Sequence, residues 1–170
     1  AGLAVATAIT AVIVNSAKAN QEIEQLSRQA KLSTDDFEAL AFATKQYGVN
    51  AEQIADISKD VADKLGEYSK TGTGAFQDFA DVVGLTKEEA KKAATEFENM
   101  SSDQVIGEMV RQMEAAGASS NEVTFALESM GNDLSKLAPL FAENSKELKT
   151  LTSRYAEVNK QLSLTAAEAE

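Results

Sequence analysis

The chain has 170 residues, a formal net charge of −11, no cysteine and no histidine. The lack of cysteine excludes disulfides and thiol chemistry, and the lack of histidine removes the commonest acid–base group and metal ligand. The acidic charge disfavours binding to nucleic acid, because phosphate backbones would be repelled. We therefore expect no catalytic residues, no cofactor, no metal site and no specific nucleic-acid partner.

The chain begins with an uncharged apolar run over residues 1–14. Because a soluble domain rarely begins inside its most apolar segment, we expect the chain to be part of a longer protein. At about 1.5 Å per residue the run reaches about 21 Å, which is shorter than a bilayer core of about 30 Å. We predict that it contacts a membrane, a partner chain or the protein's own core. Its larger apolar side chains are Leu3, Val5, Ile9, Val12, Ile13 and Val14.

The rest of the sequence predicts a series of short helices. Good helix formers dominate, and the chain has a single proline. Small polar residues followed three positions later by an acid or amide form capping boxes, and glycines follow most of the periodic segments. Apolar spacings of three and four predict one buried face for each helix, with Phe76, Phe79 and Phe125 in the core. The predicted helices are 3–31, 34–47, 51–69, 75–83, 87–98, 102–116, 120–130, 133–142 and 145–170.

Two features around residue 70 resemble binding motifs. Four carboxylates share one face of the helix 51–69, but lysines lie between them, and carboxylate metal sites usually draw ligands from several segments. The Thr-Gly-Thr-Gly sequence at 71–74 has neither the lysine nor the preceding strand of a phosphate-binding loop. We therefore interpret the carboxylates as a solvated face and predict that Gly72 and Gly74 form a hinge. The four carboxylates are Asp56, Asp60, Asp63 and Glu67.

The last predicted helix has a heptad pattern, with apolar residues stepping by three and four between charged residues. This pattern predicts either a self-association seam or a helix that packs back on its own domain. We expect a homo-oligomer that uses the seam. The seam residues are Leu148, Leu151, Tyr155, Val158 and Leu162.

Together these patterns predict an all-α protein in three parts. Residues 1–31 form an apolar and amphipathic helical arm. Residues 32–143 form a compact module of short capped helices, and residues 144–170 form a coiled-coil-like C-terminal helix. The two arms are the parts that we expect to continue as longer helices.

Several segments of this sequence resemble one protein family. Residues 23–30 read IEQLSRQA, residues 32–49 read LSTDDFEALAFATKQYGV, and residues 54–66 read IADISKDVADKLG. A glycine-rich turn and FQDF at 76–79 follow, and residues 119–125 and 130–140 continue the match. These segments, together with the apolar lead-in, resemble tail tape measure proteins of long-tailed bacteriophages and prophages.

The resemblance implies a structural role rather than an enzymatic one. Proteins of this family are helical rulers that lie in the lumen of the virion tail tube, set tail length and leave the tube ahead of DNA. The implied partners are the tail tube protein and tail tip proteins. Contact with the host membrane is implied during infection, when the protein reaches the cell envelope.

Two other interpretations stay open at this stage. The first is a membrane-active, pore-forming or toxin-like helical protein that inserts through residues 1–16. The second is an adaptor-like helical module that binds a partner helix. The frequent caps and glycines distinguish residues 32–143 from a continuous ruler, and the sequence leaves open whether this module measures length, anchors the ruler or acts at ejection.

Overall fold

The computed structural model describes the backbone of residues 17–168 and the side chains of residues 21–164. Within these residues the chain is helical and has no β-strand, so the predicted all-α fold is confirmed. The helices are α1 (Ala17–Gln29), α2 (Thr34–Lys45), α3 (Ala51–Thr71), α4 (Phe76–Val83), α5 (Lys87–Phe97), α6 (Ser102–Ala115), α7 (Ser120–Met130) and α8 (Ala138–Glu168), with a short 3-10 helix at Leu134–Leu137 before α8.

Side-chain caps determine where the helices begin. Asn50 accepts a hydrogen bond from the backbone N–H of Gln53 at 2.9 Å, and the Gln53 side chain accepts one from the Asn50 N–H at 2.9 Å. Thr86 and Ser119 form the same reciprocal box at the starts of α5 and α7. These boxes satisfy N–H groups that have no partner within the helix, which explains why the predicted starts agree with the structure.

The core contains a cluster of aromatic rings where α3, α4 and α5 meet. The ring of Phe76 lies 5.3 Å from Tyr68, 5.0 Å from Phe79 and 5.9 Å from Phe97, measured between centroids. All four side chains are buried. Tilted and edge-to-face contacts of this kind add to the free energy gained from apolar burial. The cluster therefore joins three consecutive helices into one packed unit.

The prediction that Phe125 belongs to the core is wrong. Its side chain is 60% exposed, whereas Ala126, Leu127 and Met130 on the same helix are buried. Together with the half-buried Val123, the buried positions follow the i, i+3, i+4, i+7 spacing of one helix face. Phe125 lies outside this stripe, so the geometry of the helix places it toward solvent.

Helix α8 consists of two right-handed parts separated by a break. Ala142 has an extended backbone, and the three residues after it have φ values of 50°, 58° and 57°. After the break, residues 146–168 form what we call the C-terminal segment of α8. Helix α8 as a whole packs against α2 and α6, and its C-terminal segment contacts α2 through Tyr155. The three left-handed residues are Glu143, Asn144 and Ser145.

Both ends of the described chain contribute to the same hydrophobic core. Ala30, Leu148 and Leu151 are buried with the residues of the central helices, and Ile23 and Leu26 pack against them. Helix α1 packs on α2 and α3. The predicted arms, residues 1–31 and 144–170, therefore pack in part onto the central module.

Candidate functional site

The predicted apolar contact segment, Leu3 to Val14, lies outside the described residues. The structure therefore does not place its side chains. Within residues 17–168, none of the helices combines the length and the apolar content that a membrane crossing requires.

The predicted hinge at 72–74 is a hydrogen-bonded turn. Gly72 ends α3 with a left-handed backbone, φ 67°, and Gly74 has φ 122°. Thr71 Oγ1 donates to the Glu67 carbonyl at 2.9 Å and accepts from the Thr73 N–H at 3.1 Å. A Cβ on Gly72 would lie 2.7 Å from Cε of Lys87, which is near the end of a flexible side chain and can move aside, so glycine is favoured here by the left-handed backbone. Movement about this turn stays a prediction.

The acidic face of α3 is solvated. Asp56, Asp60 and Asp63 are exposed, and Lys59 donates to Asp63 at 3.1 Å. This hydrogen bond and the attraction of Asp63 raise the pKa of Lys59. No three histidine, cysteine, aspartate or glutamate side chains in the described part of the chain are grouped so that they could hold a metal ion. The stripe is therefore a solvent-facing row of charges on α3.

The first three residues of the predicted self-association seam face the chain's own core. Leu148 is 9% exposed, Leu151 6% and Tyr155 4%. Val158 and Leu162, further along the helix, are half-buried. The heptad spacing predicted an apolar stripe on this helix, and in the structure the first half of that stripe is buried within the chain, with Tyr155 against α2. The three buried side chains are therefore not available to a partner while the segment stays docked.

Tyr155 joins the C-terminal segment to α2 by a polar and an aromatic contact. Its hydroxyl hydrogen-bonds the Glu38 carboxylate at 3.0 Å, and its ring lies 5.5 Å from that of Phe42. Burial raises the pKa of Tyr155 to about 12, a hydrogen bond from Asn159 opposes the shift, and the negative charge of Glu38 adds to it. The hydroxyl is therefore protonated near neutral pH and donates to Glu38.

One concave surface of the described residues lies between α2, α6 and the C-terminal segment of α8. We call it the α2–α6 groove. Its volume is about 690 Å³, and it is open to solvent. Apolar side chains from the loop before α2, from α2 itself and from α8 form part of the wall. Carboxylates from α2 and α6 form another part, together with the cations Arg111 and Lys149 and several uncharged polar side chains. The lining includes Leu32, Asp36, Leu40, Asp103, Glu108 and Leu148.

Hydrogen bonds hold the charged side chains of this groove in place. Arg111 donates to both carboxylate oxygens of Glu108 at 2.6 and 2.8 Å, and Ser101 donates to Asp103 at 2.6 Å. The bond from Arg111 lowers the pKa of Glu108 and raises that of Arg111. A carboxylate with a lowered pKa is a weak base near neutral pH. Glu108 is therefore held in its ionised form, paired with Arg111, near neutral pH.

Sequence reasoning missed two parts of this region. The α2–α6 groove depends on how three helices that are distant in the chain come together, and no local pattern encodes that arrangement. The boundary between the predicted helices 133–142 and 145–170 coincides with the break in α8. The left-handed backbone at 143–145 is not predicted, because the run contains no glycine to indicate it.

Comparison with known proteins adds no assignment. No protein-family model, no curated protein and no solved structure matches this chain.

Proposed function

We propose that this chain is a structural segment of a tail tape measure protein of a long-tailed bacteriophage or prophage. In this role it lies in the lumen of the virion tail, contacts the tube protein and tail tip proteins, and leaves with the rest of the ruler at DNA ejection. It acts through helix–helix contacts and not through a reactive group.

The observation that carries this proposal is the run of family-like positions in residues 19–74. In the structure these residues form α1, α2 and α3. The matching positions include buried side chains such as Phe37, Ile54 and Leu65, and the cap Ser33. The family-like residues therefore occupy positions in the core and at helix starts, where they specify how the helices pack. Helix packing of this kind is what a structural segment of a larger assembly requires.

The charge of the chain also favours this role. A net charge of −11 repels DNA that passes through the same tube. Exposed carboxylates on α3, including Asp56 and Asp60, place part of this charge on the surface. The protein can therefore share a narrow channel with nucleic acid without holding it.

The proposal is tested by deleting the segment from the parent tape measure gene and measuring the tails by electron microscopy. If residues 17–168 are extended in the tube, the tails shorten by about 230 Å, at about 1.5 Å per residue. If the module stays compact and anchors the ruler, tails fail to assemble. Tails of normal number and length would contradict both outcomes and the proposal itself. A matched deletion of equal length elsewhere in the ruler is the control.

A membrane-active protein is the second candidate, and the uncharged run at residues 1–14 is the observation that favours it. Leakage of dye from liposomes distinguishes it from the first. A pore-forming protein releases dye as a free chain, and deletion of residues 1–16 abolishes the release. A tape measure segment that acts only within the assembled tail releases none in either form.

A further inference from the structure

The break in α8 holds three consecutive non-glycine residues in the left-handed region. Glu143, Asn144 and Ser145 have φ values between 50° and 58°. This conformation brings the side chain close to the backbone in every residue except glycine, so a run of three is unfavourable and persists only where packing maintains it. Although the sequence predicts a helix boundary at 143–144, these three residues include neither glycine nor proline, so a right-handed helix is also open to them.

The packing that maintains the break is the docking of the C-terminal segment of α8. Leu148, Leu151 and Tyr155 are buried against the core, and Tyr155 hydrogen-bonds Glu38 of α2. At the break itself, the Glu143 N–H donates to Glu114 of α6 at 3.3 Å, and Lys149 donates to the Asn144 carbonyl at 2.8 Å. The C-terminal segment is thus a helix bound to a site on its own chain through a strained connection.

We propose that this segment binds the same site on a second copy of the chain, so that two copies exchange their C-terminal segments. In the exchanged form the break becomes right-handed, and α8 runs as one continuous helix of 31 residues from Ala138 to Glu168. Each segment then makes with its partner the contacts that it now makes within its own chain. This inference does not depend on the function proposed above.

We assign a second copy of the chain as the binding partner, because its docking site for the C-terminal segment is identical to the site that the segment contacts now, so no new surface is required. The site that receives the segment contains Phe42, whose ring packs on Tyr155, and Glu38, which accepts its hydrogen bond. Exchange preserves both contacts and removes the unfavourable backbone of the break. Exchange of an identical element is a low-cost route to a dimer, and strained connections favour it.

The proposal is tested with two variants at one exposed position of the break. Asn144→Gly accepts the left-handed backbone and weakens the continuous helix, so it favours the monomer. Asn144→Ala has the opposite preferences and favours the exchanged dimer. In the dimer the break of each of the two chains becomes right-handed, and we expect the substitution to change this equilibrium by about tenfold per chain. The dissociation constant of the dimer should therefore differ between the two variants by about 100-fold. Sedimentation equilibrium over a range of concentrations, after refolding from denaturant, measures it.

A cross-linking experiment identifies which surface the dimer uses. The chain has no cysteine, so single cysteines can be placed at will. Positions 38 and 159 both lie close to the Tyr155 hydroxyl, because Glu38 hydrogen-bonds it and Asn159, one helical turn further on, is near enough to affect its pKa. Single cysteines are introduced there as Glu38→Cys and Asn159→Cys. The two single-cysteine chains are refolded together and treated with a short bis-maleimide. Exchange predicts a heterodimer linked between the two positions, in larger amounts with Asn144→Ala than with Asn144→Gly in both chains.

Two results would overturn the proposal. The first is a monomer at every concentration for the wild type and both Asn144 variants. The second is a dimer whose dissociation constant is the same in both variants, or a dimer that gives no cross-link between positions 38 and 159. Either observation means that the dimer uses another surface.

Discussion

At the scale of single residues, Phe76 and Phe125 have the same side chain in opposite environments. Phe76 is fully buried among three aromatic rings, and Phe125 is 60% exposed. We expect Phe76→Ala to lower the free energy of unfolding by about 3–5 kcal/mol, through lost burial and the cavity left behind. Phe125→Ala should change it by less than about 0.5 kcal/mol. Urea unfolding followed by circular dichroism measures both, and equal losses would contradict the assigned core.

Tyr155 predicts a dependence of stability on alkaline pH. Its pKa is about 12 in the folded chain, against a reference value of 10.0. Because the folded value is the higher one, the stabilisation by the protonated hydroxyl is fully present below pH 10 and is lost as the pH rises through 12. The loss is on the order of 2 kcal/mol for a shift of this size.

The matched variant for this test is Tyr155→Phe, which keeps the ring contact with Phe42 and removes the ionisable group. We expect the variant to be less stable than the wild type at pH 8 by about 1 kcal/mol, the contribution of one hydrogen bond. The difference should shrink and then reverse toward pH 12. Parallel curves for the two proteins from pH 8 to 12 would show that the Tyr155 hydroxyl is not buried against Glu38.

At the scale of helices, the caps are the features that the sequence predicts best. Asn50 and Gln53 satisfy each other's backbone N–H groups at the start of α3. We expect Asn50→Ala to destabilise the protein by about 1 kcal/mol, whereas Asn50→Asp, which keeps an acceptor at the same place, should cost much less. Thermal unfolding of the two variants measures the difference. Equal midpoints would mean that the box contributes nothing to stability.

The predicted starts of the helices agree with the structure because N-terminal capping is a local interaction. Ser33, Asn50, Thr86 and Ser119 each contact a residue three positions away, so a single sequence contains the whole interaction. The boundary at 143–144 between two predicted helices also coincides with the break in α8. The left-handed backbone of that break is not predicted, and it contacts α6, which is about 30 residues away in the chain, where the Glu143 N–H donates to Glu114. The structure has a 3-10 turn at Leu134–Leu137, where the sequence predicted a helix from 133, and its cause lies closer in the chain. The Glu128 side chain accepts hydrogen bonds from the backbone N–H groups of Asp133 and Ser135 and fixes the start of that turn.

At the scale of the whole molecule, the all-α class follows from composition and periodicity, but the partner of each helix face does not. The heptad at Leu148–Leu162 shows the difference. Its spacing is equally compatible with a second chain and with the chain's own core, and only the tertiary structure places Leu148 and Leu151 inside. The α2–α6 groove has the same origin, since its walls come from residues more than 100 positions apart.

The central claim is that this chain acts as part of a helical ruler enclosed in a virion tail. Protease protection in purified long-tailed particles that encode the chain tests it most directly. We expect peptides from residues 17–168 to survive added trypsin in intact particles and to be digested once DNA ejection is triggered, as detected by mass spectrometry. A chain that is absent from the particles, or that is digested equally before and after ejection, would contradict the claim.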